Sequence, residues 1–221
     1  MLEPQMIQTL AQGTLESIYM ILAITVISYV IGLPLGVFLV ASDKNGIHPM
    51  PGANWFIGGI VNILRSVPFL ILMITIQPLT RMIVGTTIGP KAAIFALVVS
   101  AAPFVARMVE QSLLEIDHGV VEAAQSMGAS NLQIITKVLL PESKPSLLNG
   151  VLVSATTILG YSAMAGVVGG GGLGDIAIRY GYNRYDTGTM LVTVVLLVIM
   201  VQLIQSIGAR IAKRSDKRIN D

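Results

Sequence analysis

Apolar residues in this chain run on for longer than the alternation of a surface helix or a strand requires, and the charged residues fall between the runs. A membrane-crossing helix needs about 20 consecutive, mostly apolar residues. Three stretches free of Asp, Glu, Lys and Arg reach that length: 17–42, between Glu16 and Asp43; 145–178, between Lys144 and Arg179; and 187–209, between Asp186 and Arg210. The second contains the glycines 169–172, so its helix is predicted to end near Val168. Two further candidates carry interior charge: about 58–80, with Arg65 and Pro68, and about 91–113, with Arg107 and Glu110. The pattern predicts an all-α membrane protein with one domain over 1–221 and five spans, approximately 15–41, 58–80, 91–113, 145–168 and 187–209.

Composition agrees and excludes rivals. Only 12% of the 221 residues are charged, against roughly 25% in a soluble protein, and the mean hydropathy is +0.76. A water-soluble globule is excluded because too few polar residues remain to coat it. There are no cysteines, so no disulfide framework and no thiolate zinc site can form. The basic isoelectric point near 9.0 comes without an aromatic-rich basic groove, which argues for topology rather than nucleic acid.

Lys and Arg in the short loops set orientation, because they are retained in the cytoplasm. With the C-terminus cytoplasmic, Lys44, Arg107, Lys137, Lys144, Arg210, Lys213, Arg214, Lys217 and Arg218 fall inside and Arg81, Lys91, Arg179 and Arg184 outside, with Arg65 within a span. Five spans then place the N-terminus outside, in keeping with its acidic opening at Glu3 and Glu16. The first span is predicted to be retained, since it is longer than a signal-peptide core and no basic cluster precedes it.

In this topology the largest cytoplasmic segment is the loop 115–144, and it is well punctuated. Val120, Val121, Ala124 and Met127 share one face of a short helix, with Glu122, Gln125 and Ser126 elsewhere around it. Gly128 stands where a left-handed helix end is favoured. Ser130 and Gln133 have capping-box spacing and open a second helix through Leu132, Ile135, Val138 and Leu139. Pro141 is predicted to stop that helix, and Pro145 to occupy the first turn of the next span.

Glu122-Ala123-Ala124, three residues, Gly128, nine residues, then Val138-Leu139-Leu140-Pro141 resembles the EAA loop of ATP-binding-cassette importer permeases, with Val138 in place of the usual isoleucine. The resemblance implies a type I importer permease fold. It also implies that the short helix docks on a separate ATPase and passes that subunit's closure to the membrane helices. Glu122, Ala123, Ala124, Gly128, Leu140 and Pro141 are the coupling residues on this reading. Small Ala123 and Ala124 permit close approach, and Glu122 can accept a charge-assisted bond from a partner Arg. The chain has no G-x-x-x-x-G-K-[ST] phosphate loop, so it binds no cofactor of its own, and ATP with Mg is expected on the partner ATPase.

Other motifs in the chain have plainer explanations. Gly169-x-Gly171-x-x-Gly174 matches a dinucleotide pattern in letters, but it follows an apolar span rather than a strand; a glycine-rich turn at the outer membrane surface is the better reading. Gly160 to Met164 lacks the final glycine of a hydrolase elbow, and the two histidines, His48 and His118, fall in loops. Gly32-x-x-x-Gly36 permits close helix approach. Arg65 has two readings. It either marks an aqueous path or snorkels to the cytoplasmic interface from a span that begins near Pro68, with 55–64 lying along the surface. Tyr161, Ser162 and Met164, in a run of small residues, are either packing or a gate built on an adaptable thioether. With Arg65, Ser66 and Pro68, they are the candidate pathway residues.

Beyond the loop, Arg65-Ser66-Val67-Pro68-Phe69, Val84 to Gly89, Ala101 to Glu110, Leu113 to Ile116, Gly160 to Met164 and Gly172 to Gly174 resemble the methionine importer permeases over nearly the whole chain. That resemblance implies uptake of L-methionine, with D-methionine and related derivatives. It implies as partners a second copy of the chain, two ATPase subunits and an external methionine-binding protein, all at a bacterial cytoplasmic membrane. Rival readings are a permease for another amino acid and an ion-coupled secondary transporter, which would show ionisable residues in several spans. A membrane enzyme is opposed by the absence of a convergent nucleophile, base or metal-ligand set.

Overall fold

A computed structural model describes residues 4–215; Glu3, Lys217 and Arg218, used above for orientation, lie outside the described residues. Every regular element among the described residues is helical. Four helices are long and apolar enough to cross a membrane, Pro4–Ala41, Pro90–Leu114, Lys144–Val168 and Thr187–Ala212, and a bent pair makes a fifth when counted as one.

That bent pair is where the fold departs most from the sequence pattern. The region 58–80 is not one helix: α2 (Pro51–Ser66) meets α3 (Phe69–Thr75) at 103°, and α4 (Gln77–Val84) follows. The cause is local. Pro68 crowds the residue before it out of the helical region, and Val67 is accordingly extended, with φ −79° and ψ 127°. Hydropathy averages across this elbow, so the apolar run looks continuous while the backbone turns.

The first helix, α1 (Pro4–Ala41), begins well before the expected start near residue 15. At about 1.5 Å per residue its 38 residues reach about 57 Å, beyond the hydrocarbon thickness of a bilayer. The extra turns are held by packing rather than by lipid: Leu10 is buried in a cluster with Leu173 and Ile176. Along its second half, α1 lies against α5 (Pro90–Leu114), and here Gly32 and Gly36 matter. A Cβ on Gly32 would sit 2.9 Å from the Ala102 carbonyl oxygen, and one on Gly36 would sit 2.6 Å from that of Ala106. The two backbones therefore approach as closely as small residues allow.

The fourth span, α9 (Lys144–Ala165), tightens through a 3₁₀ turn at Gly166–Val168. The glycine turn then leads back into the protein. It starts α10 (Gly172–Ile176), whose five residues are all buried and which widens into a π-helical turn, Ala177–Tyr182. The first N–H groups of α10 lack partners within the helix, and α1 supplies them. Glu16 accepts from the Gly172 N–H at 2.9 Å and the Ser17 hydroxyl from the Leu173 N–H at 2.9 Å. Asp175 in α10 pairs with Arg179 one turn on. The last helix, α11 (Thr187–Ser215), opens on Asp186, which accepts from the Thr189 N–H and hydroxyl. Those bonds hold the Asp186 carboxyl below the usual carboxylate range.

Candidate functional site

The loop 115–144 folds into a hairpin whose turns follow from single residues. The Asp117 carboxylate accepts from the Gly119 N–H at 2.7 Å and caps α6 (His118–Ser126). That helix ends at Gly128, which has φ +78°. The Gly128 N–H donates to the Gln125 carbonyl and the Ala129 N–H to the Ala124 carbonyl, at 2.9 and 3.1 Å, satisfying carbonyls the helix leaves open. In α7 (Asn131–Ile134) the capping box is complete: the Ser130 N–H donates to Gln133 at 2.8 Å and the Gln133 N–H to the Ser130 hydroxyl at 3.4 Å. Ser130→Ala is expected to destabilise the hairpin by about 1 kcal/mol, read as faster amide exchange over 131–135; unchanged exchange there would show that the cap is redundant.

Pro141 does not stop the second helix. Beyond α7 the chain widens into a π-helical turn, Ile135–Leu139, with the Leu140 N–H donating five residues back to Ile135. The helix then closes in α8 (Leu140–Glu142). Widening just before Pro141 accommodates the ring and its missing donor, which a regular helix would resist. The chain turns at Ser143, whose hydroxyl donates to the Leu139 carbonyl at 2.6 Å.

Only one edge of α6 is buried. Ala124 packs with Ile134 and Leu139 against Val105, Val109 and Leu113 of α5, with Val121 beside them. Val120 and Met127, expected on that same buried face, are exposed, Met127 at 82%, as is Leu132 at 70%. A nine-residue helix resting on one edge cannot cover a full apolar stripe. Ala123 is exposed, Leu140 half-buried and Pro141 exposed. The Glu122 side chain is 66% exposed, with the His118 Nδ1 at 3.1 Å from its carboxylate. The hairpin thus presents a carboxylate and small residues among uncovered apolar side chains, a surface suited to docking on another protein.

The candidate pathway residues gather at the elbow. Arg65 is exposed on the last turn of α2, Ser66 returns its hydroxyl to the Asn62 carbonyl at 2.7 Å, and Pro68 makes the bend. Phe69, just past the bend, stacks on Tyr161 of α9 with ring centroids 4.7 Å apart and planes within 11°. The fold thereby brings the segments 65–69 and 161–164 together. Ser162 is buried and donates to the Leu159 carbonyl at 2.8 Å, which is a packing arrangement. Met164 is 52% exposed.

One polar cluster was missed from sequence. On α5, Arg107 pairs with Glu110 at 2.6 Å and also donates to the Gly58 carbonyl at 3.2 Å and the Asn62 side-chain oxygen at 2.9 Å, both on α2. Asn54, earlier on α2, donates to the Leu39 carbonyl and the Ser42 hydroxyl at the end of α1. The charges at 107 and 110 inside an apolar run were the available signal, because an ion pair at that depth needs a polar partner. That Asn62 supplied it depended on how α2 is turned.

The chain matches the family model for binding-protein-dependent transport system inner membrane components over residues 32–221. It is 53% identical over 209 residues to a probable D-methionine transport system permease protein of Vibrio cholerae, covering 95% of this chain and 93% of the relative. It is 46% identical over 180 residues to a methionine import system permease protein of Bacillus subtilis, covering 81% of each. Among solved structures, a chain of a methionine ABC transporter in an inward-facing conformation superimposes with a TM-score of 0.95 at 46% identity, covering 98% of this chain and all of that one.

Proposed function

The chain belongs to the family of inner membrane components of binding-protein-dependent transport systems, and on that premise we propose that it is the permease subunit of an ATP-driven importer of methionine. It is a multi-pass protein of the cytoplasmic membrane and performs no chemistry on its cargo. The observation that carries the cargo assignment is the 53% identity over nearly the full chain to a probable D-methionine permease. The hairpin carries the coupling assignment, since Glu122 and Ala123 on α6 and Met127 at its end lie exposed, while Ala124 and Val121 pack in the cluster shared with α5.

Two copies of the chain enclose the path, each supplying half. Two ATPase subunits bind ATP and Mg and close against α6, and the force passes through Gly128, Leu140 and Pro141 to α5 and α9. An external methionine-binding protein delivers the amino acid, with the N-terminus outside and the C-terminus in the cytoplasm. The elbow at Pro68 and the Tyr161–Met164 segment line the path, Met164 contributing an adaptable wall for a thioether. The test is reconstitution with the ATPase and the binding protein in vesicles. ATP-dependent uptake of labelled L- and D-methionine is expected to exceed that of glutamine and histidine. Preference for either polar amino acid would overturn the cargo, and uptake without ATP would overturn the machine.

A further inference from the structure

Arg107 occupies an unusual station. Its neighbours on α5, Val105 and Val109, pack with Leu113 against the hairpin residues Ala124, Ile134 and Leu139. Its own guanidinium reaches the other way, to Gly58 and Asn62 of α2. The next bend along α2 is the 103° elbow, beyond which Phe69 stacks on Tyr161. The arginine therefore stands between the surface that receives a partner and the segment that lines the path.

Its hydrogen bonds are incomplete. Nη1 meets Glu110 and Nη2 is shared between the two α2 acceptors, while Nε is buried without a partner. A guanidinium offers five donors in a planar fork, and a buried donor left open costs free energy that an alternative arrangement can recover. The alternative lies close by. Glu110 takes only one bond from Arg107 here, whereas a carboxylate can accept the fork through two parallel bonds. The fork cannot make both Glu110 bonds and keep both α2 acceptors without turning.

We propose that Arg107 is a positioning residue for coupling: it holds α2 and the Pro68 elbow through Gly58 and Asn62 in one state, and exchanges them for a two-bond fork on Glu110 in the other. This rests on the transport function proposed above and adds the part that carries motion from α5 to the elbow. Glu110 stays bonded to the guanidinium in both arrangements, so α2 can be released without stranding a full charge.

Three substitutions test it in the reconstituted complex with its ATPase and binding protein: Asn62→Asp, Glu110→Gln and Arg107→Lys. Asn62→Asp strengthens the α2-bound arrangement, so it is expected to raise the melting temperature while lowering cargo moved per ATP by about tenfold. A purely structural contact would leave that ratio unchanged as stability rose. Glu110→Gln weakens the alternative acceptor, and Arg107→Lys keeps the charge but loses the fork; both are expected to lower the same ratio. A ratio equal to that of the unsubstituted complex in all three, or uptake falling only in proportion to folded complex, overturns the proposal. Uptake by the unsubstituted complex reports on the cargo alone, and the ratio between variants reports on Arg107 whichever amino acid is carried.

Discussion

Glu122→Lys is expected to leave the permease folded in the membrane and to lower ATP-driven uptake steeply. The fold loses little, because the side chain is 66% exposed and its one polar contact among the described residues is His118, one turn away; such surface helix pairs contribute about 0.2–0.5 kcal/mol. The interface loses much more. A carboxylate paired across a protein contact and then reversed in sign costs at least what its truncation costs, about 2–5 kcal/mol, so uptake should fall by about thirtyfold or more. Gly128→Asp acts on the same surface by another route: its φ of +78° penalises a side chain by about 1–2 kcal/mol and so reorients α6. The measurements are methionine uptake in vesicles and the amount of ATPase that purifies with each variant. Normal values of both would sink the coupling assignment.

The second large effect concerns folding. Gly36→Leu is expected to abolish the recovery of folded protein, because even a Cβ there would lie 2.6 Å from the Ala106 carbonyl oxygen and 2.7 Å from the Val109 Cβ. Backbone cannot yield as a side-chain tip can, so α1 and α5 must separate along the interface that joins the hairpin cluster to the rest of the molecule. Gly36→Ala, the milder form, should cost about 1–3 kcal/mol, the usual range for overpacking. Gly59→Ala is the control: nothing lies within 4 Å of its Cβ position, and alanine in place of glycine inside a helix gains up to about 1 kcal/mol in propensity. Thermal unfolding followed by helicity separates the three. Equal stability of Gly36→Ala and Gly59→Ala would show that the α1–α5 approach tolerates loosening.

Residues whose structure depends on near neighbours were legible. Ser130 and Gln133 cap α7 and Gly128 ends α6 in the left-handed region, because a cap or a positive φ is decided within four or five residues. Phe69 and Tyr161 are 92 positions apart, and their stacking has no local signature. The elbow was half legible. Pro68 marked a possible start for the span, but the 103° turn depends on where α2 finds its hydrogen bonds, at Leu39, Ser42 and Arg107. Glu16 was read as the boundary of a span, yet it also accepts the first N–H of α10, 156 residues on.

By itself, the sequence determined that this is an all-helical membrane protein, which segments are apolar enough to lie in lipid, and which loop carries a capped helical hairpin. Those properties follow from burial in hydrocarbon, which each stretch of 20 residues satisfies through its own composition, and from caps that close over one turn. Only the tertiary structure decided which edge of α6 is buried and which is left exposed, how α2 turns at Pro68, and which acceptors Arg107 shares. In lipid the apolar side chains gain nothing from meeting one another rather than the acyl chains. Arrangement therefore rests on close fit at Gly32 and Gly36 and on a few polar contacts, and these depend on residues far apart in the chain.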